Sequence, residues 1–415
     1  FKLTNVLIHL LCGAAVYFLA FQVLRAAQGP ARDGSVAQAQ WLGAVIASVW
    51  LVHPLNLTSV LYVVQRMTSL SAGFSFLAVG LYVLGRRKLL QGESRRGLLL
   101  IFLALVPVCA LGALSKENAL LSPFLMLAAE LVFFRFATGN PVIGKRLAAA
   151  VAILAMLAFA GLALNADRIA TYVTSGYLFR EFTLSERLLT QPRVLLFYLQ
   201  LMVIPSTSQM GIHHDDFVLS TGLFDPPSTV ITIFVLAASV VAAMLLSRRL
   251  PVLAFGILWY LTGHSMEASF IALEMVHEHR NYLPGFGPIF VLTYYLLRSE
   301  NRLVTKGMKK GLAVAIIGIL ATVTFVRSLQ WSEIVSHAAI EVRNHPDSLR
   351  ANYQMGRLYF KLFANEQRAN FYSESERHFR HAMTLSKISV FSHIGLIQLA
   401  YKARVAPDPQ WTADL

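Results

Sequence analysis

The chain has 415 residues, of which 56% are hydrophobic and only 14% charged, with a mean hydropathy of +0.57. A soluble globular chain carries ~25% charged residues, so this composition excludes an ordinary water-soluble domain and points to an all-α, polytopic membrane protein. The formal net charge of +14 invites a nucleic-acid role, which the placement of the basic residues removes.

Apolar blocks of roughly 18–22 residues recur along the chain, the length that crosses a ~30 Å hydrocarbon layer as a helix. In chain order the predicted spans are residues 3–24, 41–60, 68–85, 98–113, 119–134, 147–165, 229–246, 252–270, 283–297 and 312–326, about ten in all. Alternate connectors are short and basic. They carry Arg86, Arg87, Lys88, Arg95 and Arg96; then Arg135, Lys145 and Arg146; then Arg248 and Arg249; then Arg298, Arg302, Lys306, Lys309 and Lys310. Clustered Lys and Arg in short loops mark the cytoplasmic side, so Phe1 and the tail after Val326 are expected to face outward. The positive balance is therefore topology, with contact to anionic membrane lipids, and no nucleic-acid partner is expected. Cys12 and Cys109 both fall inside apolar blocks, so no structural disulfide is expected. Phe1 leads almost at once into a span, without a basic region or cleavage site before it, so an upstream segment is expected.

The chain divides into a multi-span domain over residues 1–329, including a long outward loop at 166–228, and an outward helical tail over 330–415. Within the loop, residues 193–205 are apolar but too short to span, which predicts an interfacial or re-entrant helix ended by Pro205. His213, His214, Asp215 and Asp216 follow, then Asp225-Pro226-Pro227, a turn into the next span. In the tail, Asn352, Met355, Gly356 and Tyr359 fit the first helix of a tetratricopeptide repeat, and Phe379 and Ala382 its second. Phe391, Ile394 and Gly395 open another copy. An unrelated helical hairpin is the alternative.

Charged residues kept at membrane depth are functional candidates by default. Here the conspicuous ones fall at outward ends of spans: His53-Pro54 with Gln65-Arg66, Lys116-Glu117, Glu186-Arg187, the His213–Asp216 stretch, and the segment from Glu274 to Tyr282. Arg66, Lys116, Arg187 and Arg280 would make a positive site suited to phosphate, which the planar fork of arginine binds through two oxygens at once. Structural alternatives stand beside this. Lys116-Glu117 could be a helix-end ion pair, Arg66 could reach lipid headgroups, and His53-Pro54 could only break a helix. Glu274 with His277, and His264 with Glu267, have the i, i+3 spacing of bundle metal ligands, but no matching pairs occur in other spans. No metal site is assigned.

Four stretches then carry a resemblance: residues 53–70 (HPLNLTSVLYVVQRMTSL), 114–130 (LSKENALLSPFLMLAAE), 183–205 (TLSERLLTQPRVLLFYLQLMVIP) and 278–287 (EHRNYLPGFG). In content and order they resemble bacterial GT-C-fold glycosyltransferases, with the pilin arabinosyltransferases of type IV pili as the nearest type. The eukaryotic transmembrane and tetratricopeptide O-mannosyltransferases are more distantly similar. The resemblance covers nearly the whole chain. It implies transfer of a sugar from a polyprenyl-phosphate donor to a protein (pilin-like) or glycan acceptor, on the periplasmic face of the bacterial inner membrane. The residues it marks for donor phosphate and substrate are Arg66, Lys116, Glu117, Arg187, Glu278, His279, Arg280 and Tyr282. Its acidic general base is expected in a first outward loop upstream of Phe1, with Asp215 and Asp216 the weaker alternatives inside the chain. A divalent metal is left open. Two other functions fit the same sequence: a non-catalytic membrane scaffold whose tail recruits partners, and a polymerase or ligase of lipid-linked glycans.

Overall fold

The structure, a computed structural model, describes residues 2–28, 34–298, 305–386 and 390–413; Phe1 and Arg302 of the topology argument lie outside them. Among the described residues every regular element is helical and none is a strand.

The chain opens with α1 (Lys2–Ala27) and α2 (Gly34–Leu51). Pro54 has no N–H to continue α2, so the chain bends by 53° between residues 36–51 and 54–61 before the short α3 (Leu57–Leu61). The span predicted at 41–60 is thus broken. Next come α4 (Val63–Leu90), α5 (Ser94–Ser115) and α6 (Glu117–Phe134). Pro107 sits in a π-helical turn of α5, Ala104–Val108, where the wider turn accommodates the missing donor. The helix α7 (Pro141–Leu164) covers the span predicted at 147–165, although several of its side chains lie outside the described residues. It is followed by α8 (Ala166–Gly176), α9 (Leu184–Val203), α10 (Ser228–Leu246), α11 (Pro251–His264), α12 (Phe286–Arg298) and α13 (Lys306–Leu329). The tail holds α14 (Ile334–Asn344), α15 (Leu349–Glu366), α16 (Ala369–Thr384), α17 (Phe391–Ala403) and α18 (Pro409–Ala413).

Among the described residues six of these helices, α1, α4, α5, α6, α10 and α13, are long and apolar enough to cross a membrane, or seven spans if the bent α2–α3 pair counts as one. The sequence led us to expect about ten. α7 is not counted because several of its side chains lie outside the described residues, and two other expected spans are shorter than a full crossing. With 13 residues α12 reaches only ~20 Å at 1.5 Å per residue, and α11 stops at His264 where a span to residue 270 was expected. The expected short helix at 193–205 is the second half of α9. Its start is fixed by a capping box, in which the Thr183 hydroxyl accepts from Glu186 N–H and the Glu186 carboxylate accepts from Thr183 N–H at 2.7 Å.

Packing identifies α4 as the central helix. A Cβ added at Gly80 would lie 2.6 Å from the Phe18 ring, and one at Gly73 would lie 2.8 Å from Cys12 Sγ, so both crossings with α1 depend on glycine. Around α4 an aromatic core forms from Trp50, Phe76, Trp259, Tyr282 and Phe286, with Trp50 and Tyr282 centred 4.8 Å apart. Helices in lipid gain little from burying apolar surface, so such contacts act through close packing. The outer helices show the complementary face: Phe234 and Leu245 on α10 and Val314 and Ile319 on α13 are exposed. Apolar exposure on that scale fits lipid contact and a multi-pass membrane protein. At the end carrying the 86–96 connector, Arg86 donates to Glu130 at 2.6 and 2.8 Å with both side chains fully buried, and Tyr82 and Phe136 N–H also bond that carboxylate.

The tail has its own small core of Phe379, Leu396, Ala400 and Trp411. Phe379 lies between two glycines: added Cβ atoms at Gly356 and Gly395 would sit 2.7 and 2.8 Å from its ring. Gly356 thus lets α15 and α16 pack closely around Phe379.

Candidate functional site

At the opposite end of the helices from the 86–96 connector, α11 gives way to an irregular segment running from Ser265 to the 3-10 turn Glu278–Asn281. Irregular backbone of this kind needs outside partners for its carbonyls. Arg187, in the first turn of α9, supplies them: it donates to Glu267 O at 2.6 Å, Leu273 O at 2.5 Å, Ser269 O at 2.9 Å and Glu274 O at 3.3 Å. It is fully buried, and burial together with the neighbouring Arg280 pushes it down to about 10. A guanidinium occupied in this way does not present its fork to a ligand. Arg187, expected to bind phosphate, instead clamps the 267–274 segment.

The clamped segment carries two carboxylates. Glu267 accepts from Lys116 Nζ at 3.3 Å and Asn118 Nδ2 at 2.8 Å, and its other oxygen lies 3.7 Å from Arg280 Nε. Lys116 reaches it because the chain is extended between α5 and α6, and it also donates to Thr68 at 3.1 Å. Glu274 pairs with Arg180 at 3.1 Å and with Arg350 of the tail at 3.2 Å, with Arg280 at 4.0 Å. Burial alone would raise the Glu274 carboxyl, but its own backbone N–H and the Arg180 guanidinium hold it well below the usual range. Lys116, Arg180, Arg280 and Arg350 thus surround two carboxylates, leaving the cluster positive overall.

Arg280 is 6% exposed and also donates to Glu274 O at 2.7 Å and Met275 O at 3.2 Å. Its carbonyl bonds are the internal partners that a purely structural arginine would have. His277 and His279 lie beside it with ring centres 5.1 Å apart. Burial and Arg280 push His277 down to about 3 and hold His279 well below its ordinary value. Burial beside Arg280 thus favours the neutral form of both rings.

The remaining expected residues are scattered. Arg66 donates to Asn5 at 2.8 Å on the α1 side of α4, and Glu117 is exposed beside Lys116. Glu278 leaves the cluster: it is buried against Arg327, the last-turn arginine of α13, at 2.5 Å and accepts from Gly211 N–H at 2.9 Å. Burial raises its carboxyl even with Arg327 beside it. Tyr282 belongs to the aromatic core, bonded to His9 at 2.7 Å. Asp215 and Asp216 are engaged by the tail: Asp215 accepts from Ser348 at 2.5 Å and Arg350 N–H at 3.1 Å, and Asp216 lies 2.9 Å from His345. As candidate bases they are already occupied.

A cavity of about 620 Å³ opens beside the cluster, lined by Arg180, Glu274 and His277 of the body and by Arg350, Tyr353 and Phe391 of the tail, among others. That volume lies in the range of small-ligand sites. Arg180, Asn118, Arg327 and Arg350 were missed from the sequence, and Glu267 was weighed only as a metal ligand. Each gains its role from a partner far away in the chain. Among the described residues no group of three His, Cys, Asp or Glu side chains could hold a metal ion. Comparison of the chain with protein families, with curated proteins and with solved structures finds no match.

Proposed function

We propose that the chain is a glycosyltransferase of the GT-C type, moving a sugar from a polyprenyl-phosphate donor to a protein or glycan acceptor at the periplasmic face of the bacterial inner membrane. It would do so with about ten spans, several of them short or broken, and a tetratricopeptide-like tail. The observation that carries the proposal is the cluster of Lys116, Arg180, Arg280 and Arg350 around Glu267 and Glu274 at one end of the apolar helices. A lipid-linked phosphate reaches such a place without leaving the bilayer. As the glycosidic bond breaks, charge grows on that phosphate, and fixed cations stabilise it where water is scarce. A unit charge 4 Å from a net positive cluster gains ~4 kcal/mol at an effective dielectric of 20.

Within this cluster the roles differ. Arg180 lines the cavity, and Lys116 uses two of its three N–H donors on Thr68 and Glu267 and keeps one, so both are assigned to the phosphate. Arg187 and Arg280 hold the segment that positions the two carboxylates. A polyprenyl-phosphate analogue with a photoreactive group next to the phosphate tests the assignment. Cross-links are expected in peptides spanning 116–118, 180–187 and 267–280. Cross-links confined to the 86–96 connector would overturn it.

A further inference from the structure

The tail meets the body through polar groups. The tail core of Phe379, Leu396, Ala400 and Trp411 is separate from the outward apolar cluster of Leu55, Val194, Tyr198, Leu201 and Tyr260. Among the described residues the junction between them is rich in hydrogen bonds and ion pairs, with the His214 and His345 rings packed beside them. Glu341 of α14 accepts from Ile212 N–H at 3.0 Å and His213 N–H at 3.2 Å; His345 pairs with Asp216; Ser348 and Arg350 N–H bond Asp215; Asn344 donates to Thr207 O at 3.2 Å. A polar junction between two cores permits motion of one against the other. The cavity lies across this junction, with Leu349, Arg350, Tyr353 and Phe391 as its tail-side wall.

We propose that the tail is a movable wall of this cavity: docked through Glu341, Asp215 and Asp216 it brings Arg350 to Glu274 and closes the site, and released it swings away and opens it. This stands apart from the glycosyltransferase proposal, since it concerns motion and not the ligand.

The junction is also built from titratable groups, so its closure depends on pH. Glu341 faces His337 at 3.9 Å and the backbone of Ile212 and His213, with His345, Glu278 and Arg327 close by, and Lys2 of α1 near His337. Burial pushes Glu341 up to about 7 against those backbone bonds, with Glu278 adding to it. His345 faces Asp216, Glu341, Glu278 and the His214 ring at 4.6 Å. Burial would lower it, but Asp216 and the other carboxylates raise it above its ordinary value. Both groups bind protons more tightly docked than free, so docking is strongest below neutral pH and weakens as pH rises through about 7. Burial keeps His337 and His214 neutral down to about 4 and about 3, so charging them opens the junction again only in strong acid.

Spin labels at 401 on the tail and 224 on the body, both exposed positions, measure the separation in the full chain with Cys12 and Cys109 replaced. A single short distance is expected at pH 6, and a second, longer population at pH 8.5 with at least a tenfold rise in the open-to-closed ratio. Glu341→Gln should remain closed at pH 8.5, and Asp216→Asn should open already at pH 6. One unchanged distance at both pH values, or variants indistinguishable from the parent, would overturn the proposal.

Discussion

Lys116 and Glu267 are 151 positions apart in the chain, yet the ammonium of one lies 3.3 Å from the carboxylate of the other. The contact joins the break between α5 and α6 to the irregular segment after α11, and Asn118 and Arg280 complete it from two further directions. Glu267 is thus the counter-charge that allows two cations to sit close together out of water.

Its removal leaves those cations uncompensated. Glu267→Gln is expected to destabilise the folded protein by on the order of 3–5 kcal/mol, the loss seen when one member of a buried charged group is removed. Thermal unfolding in detergent measures this, and an unchanged midpoint would mean that the carboxylate holds nothing in place.

Arg187→Lys separates clamp from ligand. Lysine keeps the charge but not the fork that reaches carbonyls from Glu267 to Glu274, and charged hydrogen bonds are worth ~1.5–3 kcal/mol each. The variant should melt several degrees lower while its folded fraction binds polyprenyl phosphate as the parent does. Weaker donor binding at an unchanged melting temperature would return Arg187 to the phosphate.

Gly356→Ala should unfold the tail and spare the spans. The added methyl would fall 2.7 Å from the Phe379 ring, itself held on its far side by Gly395, and overpacking of this kind costs ~1–3 kcal/mol. Limited proteolysis should release fragments from residues 349–384 sooner than in the parent. Equal rates would show that the α15–α16 contact is loose.

The class of fold was legible because it follows from composition and block length, which no tertiary contact alters. Gly356 was legible for a related reason: Phe379 meets it within one helix pair. The straightness and length of individual spans were not. Pro54 bends one block, and α11 stops where Arg187 takes over the carbonyls of the next residues. The candidate site was half legible. Lys116 stands out as a charge beside apolar blocks, but Arg187, Arg280 and Glu278 look the same in sequence and turn out to be occupied by carbonyls and by Arg327. Which cations remain available depends on which carbonyls and carboxylates fold against them.

Orientation gives a prediction of its own. The Gln91-Gly92 turn between α4 and α5 carries the basic connector, and Asp215 lies on the tail side. By the positive-inside rule, a cysteine at 91 should resist an impermeant reagent added to intact cells, whereas one at 223, on an exposed part of the same loop as Asp215, should react. External labelling at 91 would reverse the topology.

The central claim is that the cations around Glu267 and Glu274 recognise a lipid-linked phosphate. Affinities of the purified chain for polyprenyl phosphate and for the uncharged polyprenol of equal length test it most directly, since the two ligands differ only in the group the cluster is said to bind. The phosphate should bind at least tenfold more tightly, and the combined Lys116→Gln and Arg180→Gln variant should lose most of that difference while binding polyprenol as before. Equal affinity for the two lipids, or a preference for phosphate that the double variant leaves intact, would contradict the account.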